Sequence, residues 1–467
     1  LLAYCLSIIL CVSFTGCMEN YLDLYPEDKI TSASFPENES DIKLLLNGVY
    51  AQLREKEVYN QGLFGFGITD GATPNAFNWG TDEVFNKLGA GRLSSSDGGV
   101  VTYRWKRCYE IISRANYLLA CMDLVDLSEE AKAKYSGETH FLRGLAYSVL
   151  AETYGGVPII LTNISTEEAR SLKRASLEET WQQALDDYEV AITNLGVDAP
   201  EPGRATKGAA LGMKMRAYLY QGKYKEVLSC VEQIDALKKY GLFHSYEGLF
   251  DPANENNKEV LFDIQYIEGE NSQGSYIDQY CGTGTGSWTR GSRYVPTDDL
   301  VAAYETIDGS PVDPENPYEN RDPRLGFTAV LPGSYFLGYR FPNYLYPGGA
   351  FNHAGNRLKH LSTRKYRIQD ESKLPPSGQS YINDIILRYA DVLLSKAEAI
   401  IETNGNVADA IAILNRIRTE RDDVKISLLP TSMSREETRE KVRHERRIEL
   451  ALEGRYWSCL LYTSPSP

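Results

Sequence analysis

Ala209–Ile234 reads AALGMKMRAYLYQGKYKEVLSCVEQI. A helical stretch rich in small residues carries Gly212, Ala217 and Tyr218. Gln221-Gly222 then breaks the period, and an amphipathic stretch begins at Tyr224. This is the grammar of a tetratricopeptide unit, in which a small-residue helix, a tight turn and a second helix pack back to back. Arg388–Arg418 repeats the plan with YADVLLSKAEAI, an Asn404-Gly405 turn and ADAIAILNRIR. FLRGLAYSVLAETY, at 141–154, supplies a third first helix. The units are not spaced at the regular repeat of roughly 34 residues, so large insertions separate them.

Toward the N-terminus, helical periodicity starts at Glu39, with Ile42, Leu45, Leu46, Val49, Tyr50 and Leu53 on one face. Further helices are expected at about 103–122, 129–154, 177–195, 207–221 and 224–238. The one at 129–154 is halted by Gly155-Gly156-Val157-Pro158. Residues 61–96 read as loop, and between Tyr240 and Ser380 the texture changes again. Gly, Pro, Tyr, Asn and Asp dominate there, and only short runs such as Val260–Tyr266 suggest strands. The expected fold is therefore mainly α: irregular tetratricopeptide-type repeats (39–240 and 381–457) with a long loop-rich insertion (241–380). Long loops on a stiff scaffold are where binding surfaces usually lie.

LLAYCLSIILCVSFT, at 1–15, has the apolar core of a secretory signal and is too short for a comfortable membrane span. Phe14-Thr15-Gly16-Cys17 resembles a bacterial lipobox, with Phe14 bulkier than the usual Leu. The expectation is a signal peptide over 1–16, a diacylglyceryl-modified Cys17 and a polar tether over 17–38. The usual charged start is absent, so the sequence is expected to begin after its true start. Of eight cysteines, Cys5, Cys11 and Cys17 fall in this region. Cys108, Cys121, Cys230, Cys281 and Cys459 are scattered, with no CxxC or metal spacing, and read as buried thiols.

Lys and Arg number 49 against 64 Asp and Glu, a formal net charge of −15 with no basic block, which argues against nucleic acid. None of the five histidines lies in HExxH, and neither a GxSxG elbow nor a P-loop is present. GTGTGS, at 282–287, lacks the flanking strand and helix of a phosphate cradle. Asp308, Asp313, Glu315 and Glu319 offer oxygens for a structural Ca²⁺ but not EF-hand spacing, so a solvated turn is the plainer reading. No cofactor is expected, and no catalytic residues.

Two stretches combine flat apolar rings with amides, carboxylates and guanidinium groups. TDGATPNAFNWGTD (69–82) holds Asn75, Asn78, Trp79 and Asp82. YIDQYCGTGTGSWTRGSRY (276–294) holds Tyr276, Tyr280, Trp288, Arg290, Arg293 and Tyr294. A sugar ring needs both an aromatic face for its CH side and hydrogen-bonding groups for its hydroxyl rim. These residues are the candidate ligand contacts, although either Trp could instead pin its own loop to the core.

The chain resembles the SusD/RagB family, surface nutrient-binding lipoproteins of Bacteroidetes, from Cys17 to about Trp457. The resemblance is carried by Tyr21-Leu22-Asp23 with Pro26, by LNGVY (46–50), Arg114-Ala115-Asn116, ETHFLRGLAYSVLAETYGGVPI (138–159) and RATKGAALGMKMRAYLYQGKY (204–224). NKEVLF (257–262), Tyr304–Pro311, RDPR (321–324), LRYADVLLSKAEA (387–399), ERRIELA (445–451) and Glu453-Gly454-Arg455 follow in order. It implies a helical-repeat fold with a loop-rich ligand face and non-catalytic capture of glycans, or of peptides in some branches. It also implies a lipid-anchored place on the outer membrane, facing the cell exterior, and a partnership with a SusC-like TonB-dependent transporter. After Trp457 the chain departs from the family pattern, so 458–467 is expected to be a foreign or frameshifted tail that packs poorly. A purely protein-binding assembly lipoprotein and a glycoside hydrolase with two facing carboxylates are the other classes to weigh.

Overall fold

The computed structural model describes residues 35–55, 69–78, 87–94, 96–267, 274–275, 277, 294–341, 345, 361–374 and 380–463. Its helices are α1 (Glu39–Ala51), α2 (Val100–Cys121), α3 (Glu129–Tyr154), α4 (Thr166–Ser171), α5 (Leu177–Asn194), α6 (Lys207–Tyr220), α7 (Tyr224–Ala236), α8 (Asp298–Ala303), α9 (Pro323–Thr328), α10 (Tyr389–Glu402), α11 (Val407–Thr419), α12 (Arg435–Glu449) and α13 (Tyr456–Thr463). The fold is mainly α, and the long helices begin and end close to where periodicity puts them. Ser165, Ser176 and Ser434 close full capping boxes with Glu168, Glu179 and Glu437. The two repeat turns use left-handed residues, Gly222 at φ +67 and Asn404 at φ +61.

Helices α2, α3, α5, α6 and α7 pack in succession, and α7 then meets α10, which carries α11 and α12. The two tetratricopeptide-type hairpins, far apart in sequence, are thus neighbours in space. Leu145, Tyr188, Met215, Val231, Leu394 and Leu414 belong to one continuous core through this array. Gly212 explains the small-residue face: a Cβ there would lie 2.3 Å from Leu387 Cδ2, on the strand that crosses α6.

The insertion is less irregular than its composition suggests. It holds α8, α9 and short strands: β2 (Val260–Ile264), β3 (Tyr294–Pro296), β4 (Ala329–Val330), β5 (Tyr335–Phe336), β6 (Tyr339–Arg340) and β7 (Ser362–Thr363). With β1 (Ala76–Asn78) and β8 (Asp384–Arg388), they form four antiparallel pairs, β1–β3, β2–β8, β4–β7 and β5–β6. Elements of two to six residues are too short to show a period in the sequence. A second core of Tyr246, Phe250, Tyr304, Leu325, Tyr366 and Ile448 fastens them to α12.

A buried ion-pair network ties the insertion to the scaffold. Arg388 reaches Glu259 at 2.8 Å, Glu449 at 2.7 Å and Glu453 at 2.7 Å. Arg421 shares Glu259 and Glu449, both at 2.8 Å. Arg324 joins Asp322 at 2.7 Å, Glu445 at 2.6 Å and Glu449 at 2.9 Å, while Arg418 also meets Glu445 and Lys365 meets Glu453. Five cations thus face five carboxylates, and the pairing of every charge makes their burial tolerable. Glu445 and Glu449, four residues apart, lie along one side of α12, and Glu453 follows in the turn after it. Burial alone would raise the Glu449 carboxyl, but Arg421, Arg388 and Arg324 hold it well below the usual carboxylate range.

The described part of the tail, up to residue 463, packs better than expected. Residues 456–463 form α13 with Cys459 5% exposed, and Tyr462 donates to Glu398 at 3.0 Å while its ring stacks on Tyr220. Cys459 and Tyr462, three residues apart, share the helix face turned to the scaffold, so this segment packs well.

Removing one member of the network strands its partners' charges. Glu449→Ala should lower the free energy of unfolding in urea by about 3–5 kcal/mol. A loss below about 1 kcal/mol would show that water or rearrangement satisfies the three arginines.

Candidate functional site

The structure brings the bases of the two aromatic stretches together. A short 3₁₀ turn, Asp70–Ala72, is followed by Thr73, whose hydroxyl donates to the Asp70 carbonyl at 2.8 Å and accepts from the Asn75 N–H at 3.1 Å. Strand β1 then pairs antiparallel with β3: Ala76 faces Pro296, Phe77 faces Val295 and Asn78 faces Tyr294. Thr297 fastens the far end, its N–H donating to the Asn75 carbonyl at 3.1 Å and its hydroxyl to that of Pro74. The chain therefore leaves β1 toward Trp79 at the same rung where it enters β3 at Tyr294.

Trp79, Asp82, Tyr276, Tyr280, Trp288, Arg290, Arg293 and the side chain of Asn78 lie outside the described residues. Two other candidates need correcting. Asn75 is 0% exposed and Tyr294 3% exposed, so neither presents a contact surface. Asn75 is a strut: its Oδ1 accepts from Arg447 Nε at 2.7 Å, and Arg447 also pairs with Asp299 at 3.0 Å. The Tyr294 carbonyl accepts from the Thr363 hydroxyl at 3.0 Å, which ties β3 to β7. Phe77, 40% exposed, is the outward ring of β1 among the described residues, since alternation turns it away from buried Ala76.

Residue types alone did not single out Asp70, Arg447 or Thr363 as supports. The signal for Arg447 lay in ERRIELALEGR (445–455), whose consecutive charges face different parts of the fold. Arg446 turns to Asp391 at 2.5 Å while Arg447 turns to the ladder. Asp70 is fully buried, with Oδ2 accepting from the Gly454 N–H at 3.0 Å. Burial pushes its pKa from 3.8 to about 6. Thr69 Oγ1, Asp70 Oδ1 and Asn75 Nδ2 are buried without a hydrogen-bond partner, an unusual concentration at one turn.

Around the ladder the described side chains act as supports. No group of three or more His, Cys, Asp or Glu among them is placed to hold a metal ion. In the proposed Ca²⁺ cluster, Asp308 accepts from Ser310 and Asn320, and Asp313 from Glu315 and Asn316. These carboxylates close local turns instead of converging. Glu255 and Asp263 are raised to about 7 and about 6 by burial, but Asn383 bridges them, donating its N–H to one and its amide to the other. That arrangement locks the β2–β8 seam.

Residues 258–459 match the family model described as SusD family, and residues 20–219 match one described as "Starch-binding associating with outer membrane". A SusD-like protein of Formosa agariphila is 26% identical over 486 residues, spanning 95% of this chain and 87% of its own length. A SusD-like carbohydrate binding protein from Bacteroides fragilis superposes with a TM-score of 0.80 at 27% identity, covering 91% of this chain and 86% of its own. A second SusD-like protein from the same organism gives 0.78 at 26% identity, over 94% and 88%.

Asp70 yields a pH test. Its folded pKa is raised above the usual 3.8, so from about pH 4 to 6 the unfolded chain has released a proton that the folded chain retains. Stability from this group therefore falls as pH rises through that window. Asp70→Asn keeps an acceptor for Gly454 and should flatten this slope, matching wild type near pH 4 and exceeding it above about pH 7 in urea denaturation. An unchanged slope would show that Asp70 is ionised in the folded protein.

Proposed function

The chain belongs to the SusD/RagB family, and from that premise we propose that it binds glycans at the outer membrane without altering them and passes them to a SusC-like TonB-dependent transporter. The observation that carries this reading is the β1–β3 ladder, which joins the two ring-and-amide stretches at one rung. Rings take the CH face of a sugar, and amides, carboxylates and guanidinium groups take its hydroxyls. A ladder fastened by Arg447, Thr297 and Thr363 lowers the ordering cost of binding. The name carbohydrate binding protein borne by the Bacteroides fragilis neighbour supports a sugar over a peptide as ligand.

The lipobox-like FTGC supports a lipid on Cys17, with the polar residues after it as tether. The stiff helical hairpins would provide the surface that rests on the transporter. The mechanism is adsorption: weak contacts along a glycan act together, and the anchored protein releases the chain at the pore.

Tryptophan fluorescence of the chain lacking residues 1–17, titrated with oligosaccharides and peptides, tests the ligand. One glycan class should give a saturable change, weakened at least about tenfold in Trp79→Ala or Trp288→Ala, a cost near 1.4 kcal/mol. Saturation by peptides alone would overturn the glycan reading. Separately, Cys17→Ala should move the full-length protein from the membrane fraction to the soluble one, and unchanged fractionation would refute the anchor.

A further inference from the structure

A separate cleft of about 460 Å³ opens in the loop-rich region, within the size range of small-ligand sites. Phe327 and Tyr381 contribute half-buried rings, and Arg364, Gln369, Asp370 and Lys373 contribute polar groups. These walls are held before any ligand arrives. Arg364 donates through Nε to Gln369 Oε1 at 3.0 Å and through its NH1 nitrogen to the Gly326 carbonyl at 3.1 Å, and it pairs with Glu247 at 2.5 Å. Asp370 spends Oδ1 on Ser372, which leaves Oδ2 to accept from a ligand. Behind the cleft, buried Lys365 is fixed to Glu453 at 2.6 Å, and the Tyr366 ring meets Phe250 edge-on.

We propose that this cleft is a second sugar subsite, taking a neutral unit of the same glycan chain that the β1–β3 stretches hold; it rests on the glycan-binding reading above. Rings beside hydrogen-bonding groups suit a sugar's apolar face and its hydroxyl rim. Glu247, Asp251 and Asp370 offset Arg364, Arg367 and Lys373 around the cleft, and Lys365 is already paired with Glu453, so the cleft has no surplus positive charge to select a phosphate. The same charges make it a poor seat for a lipid tail. Strand β7 links the two places: the Thr363 hydroxyl bonds the Tyr294 carbonyl of β3, and the next residue is Arg364. Two weak subsites on one polymer make affinity rise with chain length.

The test titrates the protein with tri- and heptasaccharides of the β-1,3-glucan and α-1,4-glucan series, and follows amide hydrogen exchange at 69–78 and 364–374. The heptasaccharide that binds should do so about tenfold or more tighter than its trisaccharide, and should slow exchange in both segments. Phe327→Ala, or exposed Asp370→Ala if the first variant folds poorly, should erase the length advantage and leave trisaccharide binding unchanged. Slowed exchange at 69–78 alone, or a length advantage that survives both variants, would overturn the subsite while the glycan reading stands. Slowed exchange at 364–374 that persists in Trp79→Ala would show the cleft acting independently. No response in either segment, at saturating concentrations of all four sugars, would overturn the subsite for glucans together with the glycan reading for that class.

Discussion

The acidic row of Glu445 and Glu449 on α12, with Glu453 in the turn after it, is the constraint on which the rest of the molecule depends. Tetratricopeptide-type hairpins can stack on their apolar faces alone, as α6–α7 and α10–α11 do. The insertion cannot, because its strands are two to five residues long and bury little surface each. It is held by the second core around Tyr246, Tyr304 and Ile448 together with charge. Arg324 comes from the insertion, Arg388 from its closing strand, and Arg418 and Arg421 from the end of α11 and just beyond, and all converge on α12. A buried network of this kind adds little net stability over a well-packed apolar one. It does fix geometry, because leaving any single charge unpaired is costly.

Geometry is what this function needs. Residues neighbouring that row place the ladder: Arg447 holds Asn75, and the Gly454 N–H holds Asp70. The same helix therefore positions the scaffold on one side, through Arg446 and Asp391, and the proposed binding stretches on the other, through Arg447. Recognition of a glycan sums many weak contacts, each easily lost if its loop must first be ordered. A ladder clamped from α12 and from β7 lowers that cost without adding any direct contact to the ligand.

The long helices were legible because each carries a sustained period and an explicit stop or start, such as Gly155 at φ +74 or the Ser176/Glu179 box. Strand pairing between 76–78 and 294–296 was not, because three-residue strands more than two hundred positions apart leave no local pattern. Residue type also misassigned Asn75. An amide that binds a sugar hydroxyl and one that receives a buried guanidinium look alike in sequence, and only the position of Arg447 separates them. The packing of residues 458–463 was missed for a related reason. Departure from a family pattern says nothing about whether Cys459 and Tyr462 fall on an inward helix face, which they do.

A crystal structure with a bound oligosaccharide tests the central claim most directly. The account predicts an intact chain lying across 69–82 and 276–296, over the rung shared by Asn78 and Tyr294, with the ion-pair network at α12 unchanged. A sugar seated on the α5–α7 hairpins, or a cleaved glycan held between two carboxylates, would contradict it.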